Sequence, residues 1–88
     1  MTDRYRVEVA RRAVKVLENL PRKDQQRIRA AIDLLADNPR PPGCVKLTGE
    51  PHTYRVRTGD YRVLYDVLDD RLVVQVIRIA NRPDAYRP

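Results

Sequence analysis

The stretch Thr53-Tyr54-Arg55-Val56-Arg57-Thr58-Gly59-Asp60-Tyr61-Arg62-Val63-Leu64-Tyr65-Asp66-Val67-Leu68 decides the fold. Tyr54 and Val56 alternate with Arg55 and Arg57, and Val63, Tyr65 and Val67 alternate with Arg62, Leu64 and Asp66. A period of two marks strands with one buried face. Gly59-Asp60 is a dipeptide of the kind that closes a β-hairpin. With only those two residues in the loop, Thr58 pairs with Tyr61 and Arg57 lies opposite Arg62, with Cβ atoms about 4.5 to 5.5 Å apart. Arg55 follows one pleat further along, opposite Leu64. Three guanidinium groups then share one side of the ribbon, while Tyr54, Val56, Val63, Tyr65 and Val67 form the apolar side. Like charges opposed across a sheet are destabilising on their own. The cluster therefore points to a phosphate-binding, concave surface.

Outward from the hairpin, Tyr5, Val7 and Val9 alternate with Arg4, Arg6 and Glu8, which predicts a short first strand. Ala10, Ala13, Val14 and Leu17 take helical spacing, and Pro21 ends that helix near Asn19 and Leu20 because it has no N–H to continue the ladder. The same proline suits the start of a second helix. Ile28, Ala31, Ile32 and Leu35 form its apolar stripe, and Asn38-Pro39 stops it. Two helices joined this closely form an antiparallel hairpin that packs on a sheet. Residues 38–51, with Pro39, Pro41, Pro42 and Gly49, spell a long loop. After Leu68, Asp69-Asp70 predicts a second tight turn, and Leu72 to Ala80 a nearly continuous apolar strand inside the sheet. By alternation Leu72, Val74 and Val76 join the buried side, and Gln75 and Ile77 floor the arginine side. The order is β, α, α, β, β, β, an α+β class.

Eighty-eight residues make one domain spanning residues 1–88. Eighteen basic residues against twelve acidic ones give +6, and fifteen of the eighteen are arginines. Arginine grips phosphate or carboxylate through a planar two-pronged fork, so an anionic partner is expected. A core this thin leaves little room for a deep cofactor cleft. Cys44 alone allows no internal disulfide and no zinc cluster, which fits a reducing compartment. With no apolar run near the roughly 18 residues that span a bilayer, and no apolar leader behind Met1 to Arg6, the expectation is a soluble cytoplasmic protein that does not engage membrane. His52, the single histidine, stands just before the arginine strand and is a candidate general base because imidazole titrates near neutrality. Asp69-Asp70 is a turn and not a metal site. No Gly-rich phosphate loop or serine-histidine-acid set is present.

Three segments carry a family resemblance: Lys46-Leu47-Thr48-Gly49, then Tyr54-Arg55-Val56-Arg57 with Gly59-Asp60-Tyr61-Arg62-Val63-Leu64-Tyr65-Asp66-Val67, and Val76-Ile77-Arg78-Ile79-Ala80-Asn81-Arg82 with Tyr86 behind it. Together they resemble the RelE/ParE superfamily of type II toxin-antitoxin toxins, over essentially the whole chain. The resemblance implies a RelE-like two-helix hairpin on a twisted, mostly antiparallel, four-stranded sheet. It also implies an mRNA interferase that works in the ribosomal A site without metal or other cofactor, the 2′-hydroxyl attacking the neighbouring phosphate. The catalytic positions so implied are Arg57, Arg62, Arg82 and Tyr86, with Arg55, Lys46 and Arg78 as RNA- or phosphate-binding neighbours. The implied partners are a RelB-like antitoxin, the ribosome and mRNA, with operator DNA reached only through the antitoxin complex.

Two departures bear on the chemistry. Where well-known RelE members carry lysines on the second strand, this chain has Arg55 and Arg57, and arginine does not give up its proton in proteins. A proton acceptor must then come from Tyr86, His52 or the ribosome. Asn81 stands where many relatives place histidine or lysine. Two further readings use the same fold: a ParE-like inhibitor of DNA gyrase that cleaves nothing, and a degenerate partner that only binds its antitoxin.

Overall fold

A computed structural model of the protein describes residues 4–81. The elements run β1 (Arg6–Val9), α1 (Arg11–Glu18), α2 (Arg22–Asp37), β2 (Val45–Lys46), β3 (Thr53–Thr58), β4 (Tyr61–Leu68) and β5 (Val73–Asn81). They form one sheet in the order β1-β5-β4-β3-β2, with β1 parallel to β5 and every other pair antiparallel. The expected four strands are joined by β2, which pairs Val45 with Arg55 and Lys46 with Tyr54. Two residues carry no readable period, so this strand arises from its neighbour rather than from its own pattern.

The helical hairpin forms as its spacing requires. α1 stops where Asn19 Nδ2 donates to the Lys15 carbonyl at 2.8 Å, and the side chain of Gln25 donates to the Leu20 carbonyl at 2.8 Å, which fixes the corner around Pro21. Ala13 and Leu17 of α1 and Ile28, Ile32 and Leu35 of α2 pack against Val63, Tyr65 and Val67 of β4 and Val74, Val76 and Ile79 of β5. Tyr5, Val7, Val9, Leu20, Tyr54 and Val56 close the edges of this core. Each fully buried aliphatic side chain is worth roughly 1.5 to 3 kcal/mol, so these residues, and not the cations, hold the two layers together.

The β4–β5 connection differs from the expected dipeptide. Leu68 pairs with Val73, so residues 69–72 form a four-residue turn. Leu72, expected inside the strand, is in that turn with φ +54° and is 37% exposed. Lengthening the turn by two residues preserves the parity of the strand, which is why Val74 and Val76 are still fully buried. Further along, Tyr65 pairs with Val76 but Leu64 pairs with Arg78. Ile77 is therefore the extra residue of a β-bulge, and the faces swap beyond it. Ile79 enters the core opposite Val63, and Arg78 turns to the other side.

At the end of the hairpin away from Gly59, five side chains tie the long loop to the sheet. Arg40 bridges Asp69 at 2.7 Å, donates from Nε to the Tyr54 hydroxyl at 3.1 Å and lies over the Tyr54 ring, 5.1 Å from its centroid. The Tyr5 hydroxyl donates to Asp69 at 2.6 Å. Tyr65, buried and stacked on Tyr54, donates to the Pro39 carbonyl at 2.8 Å, and burial pushes its phenol well above the ordinary range, with Cys44 beside it adding to the shift. The hydrogen bond from Arg40, then that from Tyr5, holds the Asp69 carboxyl below the usual carboxylate range. Because the folded value is depressed, this stabilisation is complete above the unfolded value of about 3.9 and disappears as pH falls through the folded one. Asp69→Asn should lower the melting midpoint at pH 7 by about 2 to 6 °C, the equivalent of a partly exposed multi-contact ion pair. Thermal melts of the two proteins should converge as pH falls through the depressed folded value of the Asp69 carboxyl, where the wild-type side chain itself becomes neutral.

Candidate nucleic-acid interface

The register at the Gly59 turn is the one the sequence predicts. Thr58 pairs with Tyr61, Arg57 with Arg62, Val56 with Val63, Arg55 with Leu64 and Tyr54 with Tyr65. Gly59 takes φ +60°, a left-handed value that lets the chain reverse in two residues. Val56, Val63, Tyr54 and Tyr65 consequently face the helices, and Arg55, Arg57, Arg62 and Leu64 face away.

The bulge adds a fourth cation to that open face. Arg78 lies in the row Arg55–Leu64–Arg78, and the neighbouring row runs Arg57–Arg62–Ala80. Arg62 is thus central: directly opposite Arg57 and diagonal to both Arg55 and Arg78, at the roughly 7 to 8 Å usual for diagonal neighbours. Arg57 and Arg78 are exposed, Arg55 and Arg62 half-buried. Among the described residues, ion pairs join Arg4 to Asp37, Arg6 to Glu8, Arg40 to Asp69 and Arg71 to Asp70. None of them involves Arg55, Arg57 or Arg78. The other end of the same face is polar and acidic, with Glu8, Gln75, Asp66 and Thr53 side by side across four strands and the Thr53 hydroxyl on the Asp66 carboxylate. The sheet therefore presents a cationic half next to a polar, acidic one.

Other sequence-derived candidates fall elsewhere. Lys46 pairs with Tyr54 and so belongs to the opposite face; Val45 is the residue beside Arg55. His52 precedes Thr53, which is four residues along β3 from Arg57, or about 13 Å at the usual strand rise. That separation sets His52 well along the strand from the Arg57–Arg62 pair, and its charge helps to lower the Asp69 carboxyl. Arg82 and Tyr86 lie outside the described residues. Sequence reasoning missed Arg12 of α1, which joins Arg78, Val16, Leu20, Tyr61 and Ile79 around a cleft of about 410 Å³ at the outer edge of β5. It also missed Arg27 of α2, which reaches the Gly59 turn. Both depend on how the helices dock, and no local pattern reports that. Among the described residues no group of three or more His, Cys, Asp or Glu is placed to hold a metal ion, and no helix is long and apolar enough to cross a membrane.

A two-helix hairpin covering one face of a mixed, mostly antiparallel sheet is the RelE-like α+β fold. The family model described as the ParE toxin of the type II toxin-antitoxin system parDE matches residues 7–86. A curated relative of Methanocaldococcus jannaschii named toxin RelE1 is 35% identical over 96% of this chain and 97% of its own length. The crystal structure of the archaeal RelE–RelB complex from Pyrococcus horikoshii superposes with a TM-score of 0.81 at 34% identity, covering 93% of this chain and 97% of that one. The isolated RelE toxin of Escherichia coli superposes at 0.77 with 26% identity, covering 88% and 83%. The chain belongs to the RelE/ParE superfamily of type II toxins.

The opposed arginines carry an electrostatic cost, so Arg57→Gln should stabilise the protein in the absence of ligand. The melting midpoint at low ionic strength should rise by about 2 to 4 °C, corresponding to a cross-strand repulsion of about 0.5 kcal/mol. In 0.5 M salt, where the screening length is only a few ångströms, the gain should shrink towards zero.

Proposed function

We propose that this toxin is an mRNA endonuclease of the RelE type, acting on ribosome-bound message and silenced by a RelB-like antitoxin. The observation that carries the reading is the placement of Arg62 at the centre of four arginines on one open sheet face. An RNA backbone drawn across this face meets several cations held at fixed positions of the sheet. When the 2′-oxygen attacks the adjacent phosphorus and the bond to the 5′-oxygen breaks, negative charge grows on the non-bridging oxygens and the leaving oxygen. Arg57 and Arg62 stabilise that charge, and one such preorganised donor is worth about 10² to 10³ in rate. Arg55 and Arg78 hold the flanking phosphates. Arg82 and Tyr86 enter from the sequence alone, Arg82 as a further cation and Tyr86 as a base-stacking or 2′-hydroxyl-orienting ring. Because arginine cannot accept the proton and His52 is remote, the acceptor in this reading is Tyr86 or a group of the ribosome.

The likeness to RelE chains solved with RelB, in the P. horikoshii and E. coli complexes, supports an antitoxin partner here; in this reading operator DNA is contacted only through that complex. A second reading, inhibition of DNA gyrase, is favoured by the ParE description of the matching family model. Primer extension on mRNA from translating extracts separates the two. Cuts within codons that need engaged ribosomes support the endonuclease, and altered supercoiling with intact message supports gyrase. In the first case Arg62→Ala should slow cleavage about 10² to 10³-fold. Affinity for RNA should fall with salt, and removal of one phosphate contact should reduce the slope of log K against log salt by about 1. A slope unchanged by Arg78→Ala would remove Arg78 from the contact surface.

A further inference from the structure

The Arg57–Arg62 pair stands one row in from the hairpin tip, where mutual repulsion would splay the two strands. Two side chains from the start of α2 meet that tip. The Tyr61 hydroxyl donates to Asp24 Oδ2 at 3.2 Å. Three residues on, and so on the same side of the helix, Arg27 lies against Gly59. A Cβ built on Gly59 would stand 2.8 Å from Arg27 Nη1 and 3.4 Å from Arg27 Cδ. The missing side chain thus leaves the space that the guanidinium occupies, in addition to permitting the φ of +60°. Tyr61 is only 9% exposed, pairs with Thr58 and directly precedes Arg62. Burial, then Asp24, raises its phenol, so the hydroxyl remains a donor across the physiological range.

We propose that Tyr61 and Arg27 are positioning residues that clamp the β3–β4 tip onto α2 and thereby fix the separation and direction of Arg57 and Arg62. Neither touches RNA in this scheme. One contact holds the first residue of β4, and the other covers the turn, so the strands cannot part at the row where like charges oppose. The consequence for cleavage rests on the endonuclease reading above, but the clamp itself is a property of the free protein.

The test uses the full chain with 15N-labelled arginine. In Tyr61→Phe, which keeps the buried ring, and in Arg27→Ala, the Nε–Hε signals of Arg57 and Arg62 should shift and lose order, while those of Arg71, in the turn at the far end of β4, stay unchanged. Melting midpoints should confirm that both variants remain folded. Binding of a short single-stranded RNA should weaken about fivefold in Tyr61→Phe, the effect of one ordinary hydrogen bond, should weaken in Arg27→Ala as well, and should lose both effects when Arg57 is already alanine. Unchanged Arg57 and Arg62 signals in both variants, or equal changes at Arg71, would overturn the clamp. RNA binding that is absent in the parent protein would count against the RNA surface and leave the arginine signals to decide the clamp.

Discussion

The pairing of Arg57 with Arg62 across a two-residue turn is the constraint on which the rest of the molecule turns. A hairpin closed by Gly59-Asp60 admits one register, and in a sheet a slip of one residue would exchange the faces. With this register, Val56 meets Val63 and Tyr54 meets Tyr65 on the side that the helices cover. The same register forces the arginines together on the other side. Core formation and charge concentration are therefore one event, and the apolar partners hold in place an arrangement that the cations by themselves would oppose.

The open face is divided along its strands. Near the Gly59 turn it is cationic. Towards the other end, Glu8, Gln75, Asp66 and Thr53 form a polar row, and beyond them Arg40, Asp69, Tyr5 and Tyr54 tie the long loop down. Arginines at that second end are consumed in internal contacts, as Arg40 is by Asp69 and Tyr54. At the first end, Arg55, Arg57 and Arg78 take part in none of the ion pairs among the described residues, and the sheet gives them fixed backbone positions.

The strand pattern, the helical stripe, the Gly59 register and the gathering of Arg55, Arg57 and Arg62 were all legible in the chain, because each follows from contacts between residues close in sequence. The Lys46-Leu47 segment was legible as part of a family motif, but not the strand Val45–Lys46 that leads into it. Its two residues pair only because β3 offers an edge, and that pairing sends Lys46 away from the arginines. His52 lay near Arg55 in sequence, yet an extended strand carries neighbours apart at about 3.3 Å per residue, which placed it beside the Asp69 cluster instead.

What the sequence alone determined was local: periods of two and of 3.6, a turn dipeptide, and the parity that goes with them. What only the tertiary structure decided was how distant elements meet. Simple alternation along β5 would have buried Arg78 and exposed Ile79; the bulge at Ile77 reverses both, because Ile79 finds a core position opposite Val63 and the strand gives up one residue to reach it. The approach of Asp24 and Arg27 to the hairpin tip likewise depends on the angle at which α2 docks. No repeat or spacing encodes that angle, which is set by the fit of Ile28, Ile32 and Leu35 against the strands.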